Sequence, residues 1–352
     1  MISQTRLIDL LHQHKSYLPN HTQQLDFFQR SFFDGSDDMT NDMTMEQKKQ
    51  NKQSTLLVTD IQRFSVHDGP GVRTTVFLKG CPMRCRWCHN PETHEAFPQV
   101  QLTESHCIFC GACVQVCLSH CHTLTETKHQ FFSKNCIRCN ACVQVCPVKA
   151  LTVCGREMTP EQIVIEAEKD RVFYRDTGGI TLSGGEPLLH GALAMEVFAQ
   201  AKAKGLSTCV ETCGQFDLDA IFDSFCSLID HIFWDIKTMD REKHITFCGI
   251  GNEKILENLS RAATRRDDII VRTVITKGVS DTPQHVESIA RFVRKIGLKH
   301  PPVLLSFHPF GSSKGHALGL DDRYTYMGKE YIPEESDVEK LRDIATKAFE
   351  AG

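Results

Sequence analysis

Seventeen cysteines, most of them only two or three residues apart, constrain this 352-residue chain more than any other feature. The count is odd, and the N-terminus lacks the basic, apolar and small-residue order of a secretion signal, so a disulfide framework is not expected. Thiols this closely spaced surround a metal rather than staple distant parts of a fold. A net charge of −4, from 40 basic and 44 acidic residues with no long basic run, argues against nucleic acid or an anionic membrane as partner. No apolar stretch approaches the length needed to cross a bilayer. The chain therefore reads as soluble and cytoplasmic.

Residues 1–54 differ from the rest: they are rich in Gln, Asp, Asn, His and Lys, with apolar patches at Leu7, Ile8, Leu10 and Leu11 and at Phe27, Phe28, Phe32 and Phe33. The stretch 34–54 has almost no apolar residue besides Met and reads as a disordered linker, with Met45 a candidate true start. The amphipathic beginning is a candidate docking peptide, although such patches are common and usually unremarkable.

From residue 55 apolar, β-branched runs alternate with helical periods. Strands are expected at 55–62, 74–80, 179–185, 208–212, 231–237, 268–275 and 302–308. Helices are expected at 160–175, 190–204, 217–228, 252–265, 283–296 and 335–350, the first of them capped by Thr159 with Pro160 in its opening turn. Alternation of this kind implies an α/β fold with a parallel sheet. About six βα units are visible, fewer than the eight of a closed barrel, so a partial, TIM-like (βα)6 barrel is expected over 55–103 and 154–352. The span 104–153 interrupts it with an internal repeat, CIFCGACVQVC at 107–117 against CIRCNACVQVC at 136–146. Each copy is too small to bury a core and must be stapled by something else.

Two constellations carry the chemistry. In the first, Cys81, Cys85 and Cys88 stand at gaps of three and two, which leaves one iron of a cubane without a protein ligand. An open coordination position can hold a substrate, as a catalytic zinc keeps one for water. A zinc site that recruits the adjacent His89 is the alternative. In the second, Cys136, Cys139, Cys142 and Cys146-Pro147 follow the bacterial ferredoxin spacing, in which the fourth cysteine serves the other cluster. By that rule Cys107, Cys110, Cys113 and Cys146 hold one [4Fe–4S] cluster, and Cys136, Cys139, Cys142 and Cys117 hold another. Leu118 stands where the proline would be and Cys121 follows, so exchange between Cys117 and Cys121 stays open. The other cysteines (Cys121, Cys154, Cys209, Cys213, Cys226 and Cys248) read as small buried hydrophobes or loop thiols.

The triad, the Gly184-Gly185-Glu186 motif after the next core strand and the phrase FSVHDGPGVRTTVFLKGCP resemble the radical S-adenosylmethionine superfamily. Within it, DGPGVR at 68–73 resembles the activating enzymes of glycyl radical enzymes, the family of the pyruvate formate-lyase activator. The resemblance begins near residue 55 and leaves only the first 54 residues outside. It implies that Cys81, Cys85 and Cys88 ligate a catalytic cluster whose fourth iron is chelated by S-adenosylmethionine. It further implies that Gly184, Gly185 and Glu186 bind the cofactor's ammonium, and that Asp235 and Lys237, two apart on one strand face, contact its ribose and carboxylate. An internal ion pair is the bland reading of that pair.

Glu211 and Thr212 match an acidic-Thr-Asn-Gly segment beside the cofactor, but with Cys213 replacing Asn. Arg272 is a lesser candidate for the carboxylate and His308 for the ribose. Asp68 and Arg73 are expected to line the mouth where the partner's glycine loop enters, although Asp-Gly-Pro-Gly is also plain turn chemistry. The implied protein carries three [4Fe–4S] clusters, draws electrons from a flavodoxin or ferredoxin-type reductant and makes a glycyl radical on a partner enzyme. A radical enzyme acting on a small molecule and a non-catalytic electron carrier are the competing functions; SGGEP and WDIK would have no purpose in the latter.

Overall fold

In the computed structural model residues 54–320 and 326–351 are described. The expectations for the linker, the docking peptide and Met45 fall on residues 1–53 and lie outside the described residues. The strands are β1 (Leu56–Ser65), β2 (Arg73–Leu78), β3 (Gln99–Leu102), β4 (His122–Leu124), β5 (His129–Phe131) and β6 (Leu151–Cys154). They continue with β7 (Arg156–Met158), β8 (Gly179–Gly184), β9 (Ser207–Thr212), β10 (His231–Asp235), β11 (Ile270–Ile275) and β12 (Val303–Ser306). Helices α1 (Ala112–Val116) and α2 (Ala141–Gln144) lie in the cysteine repeat. The remainder are α3 (Pro160–Glu168), α4 (Arg171–Tyr174), α5 (Ala192–Ala203), α6 (Phe222–Leu228), α7 (Arg241–Cys248), α8 (Glu253–Ala263), α9 (Pro283–Lys295), α10 (Gly311–Ala317) and α11 (Glu335–Glu350).

The large sheet runs β12-β11-β10-β9-β8-β2-β1-β7. From β2 through β8 to β12 every pairing is parallel, while β1 is antiparallel to both β2 and β7. Helical crossovers join the parallel strands, as parallel pairing requires. This largely parallel α/β sheet, ending on β12 at one edge, is consistent with a partial TIM-like barrel. Side chains alternate in burial along β10 and β11. Ile232, Trp234, Val271 and Ile275 face the helices and are buried, whereas Phe233, Asp235, Arg272 and Val274 look onto a half-open face. Trp234 anchors the covered side, its ring 5.9 Å from Phe216 and 6.4 Å edge-on from Phe225.

The expected helix 160–175 is broken between α3 and α4, because the Asp170 carboxylate is held by Arg63 at 2.8 Å and by the Thr74 hydroxyl at 2.6 Å. Its start is as read: Thr159 and Gln162 form a reciprocal capping box with Pro160 in the first turn. The 104–153 span forms two small antiparallel pairs, β3 with β6 and β4 with β5. It touches the chain outside it where Ser133 donates to the Gly319 carbonyl at 2.7 Å and Arg138 stacks over Phe97 at 4.0 Å.

Arg73 does not line a mouth. It is fully buried, and its guanidinium donates to Thr181 Oγ1 and the Ile180 carbonyl, each at 2.7 Å, and to the carbonyls of Ser207 at 3.0 Å and Pro70 at 3.1 Å. A planar five-donor fork suits a converging set of carbonyls, and burial lowers its pKa without removing its charge. Arg73 thus ties the DGPG turn to the starts of β8 and β9, at the end of β2 opposite the cysteine triad. Asp68 stays half-exposed and accepts from Ser65 Oγ at 2.8 Å and Thr75 Oγ1 at 2.7 Å.

Arg73→Met removes every one of these donors, and each buried acceptor left short costs about 1–3 kcal/mol. The expected loss is about 3 kcal/mol or more, read as a lower denaturation midpoint. A variant within about 0.5 kcal/mol of the parent, the scatter of surface substitutions, would contradict the lock.

Candidate active site and metal centres

The triad loop leaves the end of β2 and is stitched at both flanks. Gly80 N donates to Thr93 O at 2.7 Å, Arg84 N to Cys248 O at 2.8 Å and Arg86 N to Phe247 O at 3.0 Å. Met83 and Trp87 are sunk into the core, and Cys85 between them is buried in the same cluster, with Cys81 and Cys88 packed against it. Burial, followed by Cys85 and Cys81, pushes the Cys88 thiol up, and contact with Cys248 followed by burial raises Cys85. Cys81 is instead pulled down, first by a hydrogen bond from the Cys213 thiol. A cation among them would favour the thiolates of Cys85 and Cys88 against that burial, so this donor set fits a metal centre. Every cysteine is free of disulfide bonding. His89 directs Nε2 to the His308 carbonyl at 2.7 Å, which ties the residue after the triad to the end of β12.

Beside the loop, four alternating charges run across the strand ends. Ser183 Oγ donates to Glu211 at 2.6 Å, and Arg272 donates to Glu211 at 2.6 Å and to Asp235 at 2.8 Å. Lys237 donates to the second Asp235 oxygen at 3.0 Å. Burial opposes ionisation of Asp235, yet Arg272 and Lys237 together bring it down to about 2. Lys237 is raised, burial being more than offset by Asp235 and then by Cys85. The expected pair is therefore an internal ion pair and also a neighbour of the triad.

Glu186 differs from its expected role. Its carboxylate has no solvent exposure and accepts from Leu188 N at 3.0 Å, Thr212 Oγ1 at 2.7 Å and Cys213 N at 2.7 Å. A buried carboxylate needs donors close at hand, and the adjoining turn and β9 supply them. Thr212 is equally committed, since its hydroxyl also accepts from Gly214 N at 2.9 Å. Both are struts. The two glycines before Glu186 are obligatory: a Cβ on Gly184 would lie 2.4 Å from the Leu78 backbone, and one on Gly185 would lie 2.1 Å from the Gly80 carbonyl. His308 is exposed and stacks on Phe310 at 5.7 Å.

The repeated cysteines line two cavities, one walled by Cys107, Cys110, Cys113 and Cys146, the other by Cys117, Cys121, Cys136, Cys139 and Cys142. The backbone repeats with the sequence. Phe109 and Arg138, His120 and Lys149 take matching positive φ values of 56°, 58°, 51° and 52°, and Gly111 at 77° matches Asn140 at 60°. Non-glycine residues held left-handed carry strain and persist only where the structure around them holds them there. Turns of this kind aim backbone N–H groups inward, as around Fe–S sites. The Cys121 thiol donates to Ser119 O at 3.6 Å, and burial followed by Cys117 pushes it up to about 12.

Four residues escaped sequence reasoning. Cys213 and Cys248 touch the triad rather than merely filling core, a placement that needs the tertiary fold. His122 and His129 lie buried against the first cavity's thiols: His129 Nδ1 is 3.3 Å from Cys107 Sγ, and His122 Nδ1 is 3.1 Å from His129 Nε2. Burial pushes His122 down to about 4, with His129 adding to it. Their only signal was position, within and just after a cysteine run.

A family model described as the Radical SAM superfamily matches residues 75–293. The chain is 35% identical, over 81% of its length and 93% of the relative's, to the isethionate sulfite-lyase activating enzyme of Oleidesulfovibrio alaskensis. It is 34% identical over 83% of its length to the choline trimethylamine-lyase activating enzyme of the same organism, covering 95% of that protein. It is 35% identical over 83% to the 4-hydroxyphenylacetate decarboxylase activating enzyme of Clostridioides difficile, covering 94%. Among the described residues no helix is long and apolar enough to cross a membrane.

Arg272→Met takes from the partly buried Glu211 and Asp235 their shared partner, leaving them Ser183 and Lys237, and should cost about 1–3 kcal/mol. Chemical denaturation should show that loss. Combining it with Glu211→Gln should recover part of it; strict additivity of the two would refute the coupling.

Proposed function

Because the chain belongs to the radical SAM superfamily, among the activating enzymes of glycyl radical enzymes, we propose which of its residues carry that activity. The activity itself is installation of a glycyl radical on a partner protein. Cys81, Cys85 and Cys88 hold a [4Fe–4S] cluster and leave one iron for S-adenosylmethionine. When bound, cluster and S-adenosylmethionine supply the 5′-deoxyadenosyl radical that takes the α-hydrogen of a partner glycine.

Lys237 and Arg272 are the cations that receive the cofactor carboxylate. The Gly184-Gly185 backbone gives close approach to its ammonium, held in place by Glu186 and Thr212. Asp235, Glu211 and the exposed ring of His308 attend the ribose, and Asp68 meets the partner's glycine loop. The observation that carries this reading is the gathering of the Cys81, Cys85 and Cys88 thiols, none in a disulfide, beside the mostly buried Lys237 that pairs with Asp235.

The span 104–153 acts as a ferredoxin-like insert with two further [4Fe–4S] clusters, one on Cys107, Cys110, Cys113 and Cys146, the other on Cys136, Cys139, Cys142 and Cys117. Cys121 remains a thiol, in keeping with its donation to Ser119. The insert relays electrons from a flavodoxin or ferredoxin-type reductant, because sulfonium cleavage needs a potential that protein-held clusters reach, down to roughly −700 mV. An abundance of free thiols supports work in the reducing cytoplasm.

Anaerobically loaded, reduced protein with S-adenosylmethionine and a glycyl radical enzyme should give the glycyl-radical doublet by electron paramagnetic resonance. Cys85→Ala should abolish both the doublet and 5′-deoxyadenosine formation. Turnover that leaves every partner unmodified would point to a small-molecule substrate. Cys139→Ala should bind S-adenosylmethionine normally but activate its partner slowly with the protein reductant; full speed would sink the relay.

A further inference from the structure

We propose that His122 and His129 form an imidazole bridge between the two cysteine-lined cavities, and that His129, donating to the Cys107 thiolate, makes the cluster on that side easier to reduce than its neighbour. The proposal rests on the reading that both cavities hold clusters, and its test separates the two.

The geometry begins with the β4–β5 hairpin. His122 pairs with Phe131 and Leu124 with His129, so the two histidines are diagonal neighbours on one face. That face is sealed, with His129 at 1% and His122 at 4% exposure. His129 stands in the wall of the Cys107 cavity, and His122 in the wall of the Cys136 cavity. The His122 ring is fixed there by stacking on Phe131 at 5.0 Å.

A contact of 3.3 Å between His129 Nδ1 and Cys107 Sγ is favourable to an iron-bound thiolate only if the nitrogen carries the proton. In a neutral ring Nε2 is then an acceptor; of its two neighbours, Cys113 Sγ at 3.6 Å and His122 Nδ1 at 3.1 Å, only the imidazole can donate once Cys113 is an iron-bound thiolate. The chain of donation therefore runs from His122 through His129 to Cys107. At its far end His122 Nε2 is buried without a protein partner, in the wall of the second cavity. One cavity thus receives an N–H from the bridge and the other does not. Hydrogen bonds to cluster sulfur stabilise the more negative, reduced state, and the outer residue fixes the tautomer of the inner one.

The test is a potentiometric titration followed by electron paramagnetic resonance on the cluster-loaded enzyme, with iron and zinc counted in the same samples. In His129→Leu one midpoint should become more negative, by about a tenfold change in the oxidised-to-reduced ratio or roughly 59 mV for one electron. The other midpoints and the iron content should hold. His129→Gln, which keeps an N–H donor, should return most of the shift. Unmoved midpoints would overturn the proposal. So would loss of four irons in His129→Leu, which would make His129 a ligand or strut. One zinc per loaded chain would also overturn it, because Cys113 Sγ and the His122 and His129 nitrogens lie within 4.8 Å of one another and would then be its ligands. Wild-type protein with only one cluster would refute the underlying reading before any variant is made.

Discussion

A single buried carboxylate organises the reactive end of this sheet. Glu186 reaches from the end of β8 to Thr212 and Cys213 at the end of β9, while its own amide donates to Gly80 at the base of the cysteine loop. Three segments distant in sequence meet there, and each contributes something to the site: the loop its thiols, β8 its paired glycines, β9 the Cys213 thiol against Cys81. Burial raises the carboxylate's pKa while its donors oppose that shift, so its place depends on their geometry. Displacing it would loosen the strand ends and the loop together.

Much of this arrangement was legible beforehand. Short runs of apolar and β-branched residues marked all the parallel strands, because each must bury at least one face against the helices. Helix α7 was not legible: only His244 and Cys248 are buried in it, so no apolar stripe announces it. Helix α10 hides for a related reason, its packing made by Gly311 and Gly315 against backbone and Tyr326. The DGPGVR motif was recognised but its arginine misplaced, since turn chemistry says nothing of where a long side chain goes. The roles of Glu186 and the histidine pair needed partners supplied by other strands, which one sequence does not display.

The cysteine repeat shows a different economy. Its apolar core includes Cys113, Cys121 and Cys142 alongside Val100, Leu102, Phe131, Ala150 and Leu151, so thiols form part of what packing there is. A module of this size cannot offset its chain entropy with so little apolar burial, and the duplicated left-handed residues add to the deficit. The clusters proposed for its two cavities would supply the missing stability, and they would account for the copying of backbone conformation, and not only of cysteine spacing, between the halves.

The chain of alternating charge across β8 to β11 has a consequence for how any zwitterion enters. Glu211, Arg272, Asp235 and Lys237 sum to neutrality and are already largely withdrawn from water. An incoming charge would therefore meet groups already paired to one another, so that each contact it made would compete with a pairing the fold supplies. Because Arg272 bridges two carboxylates, drawing it toward a guest would loosen Glu211 and Asp235 at once.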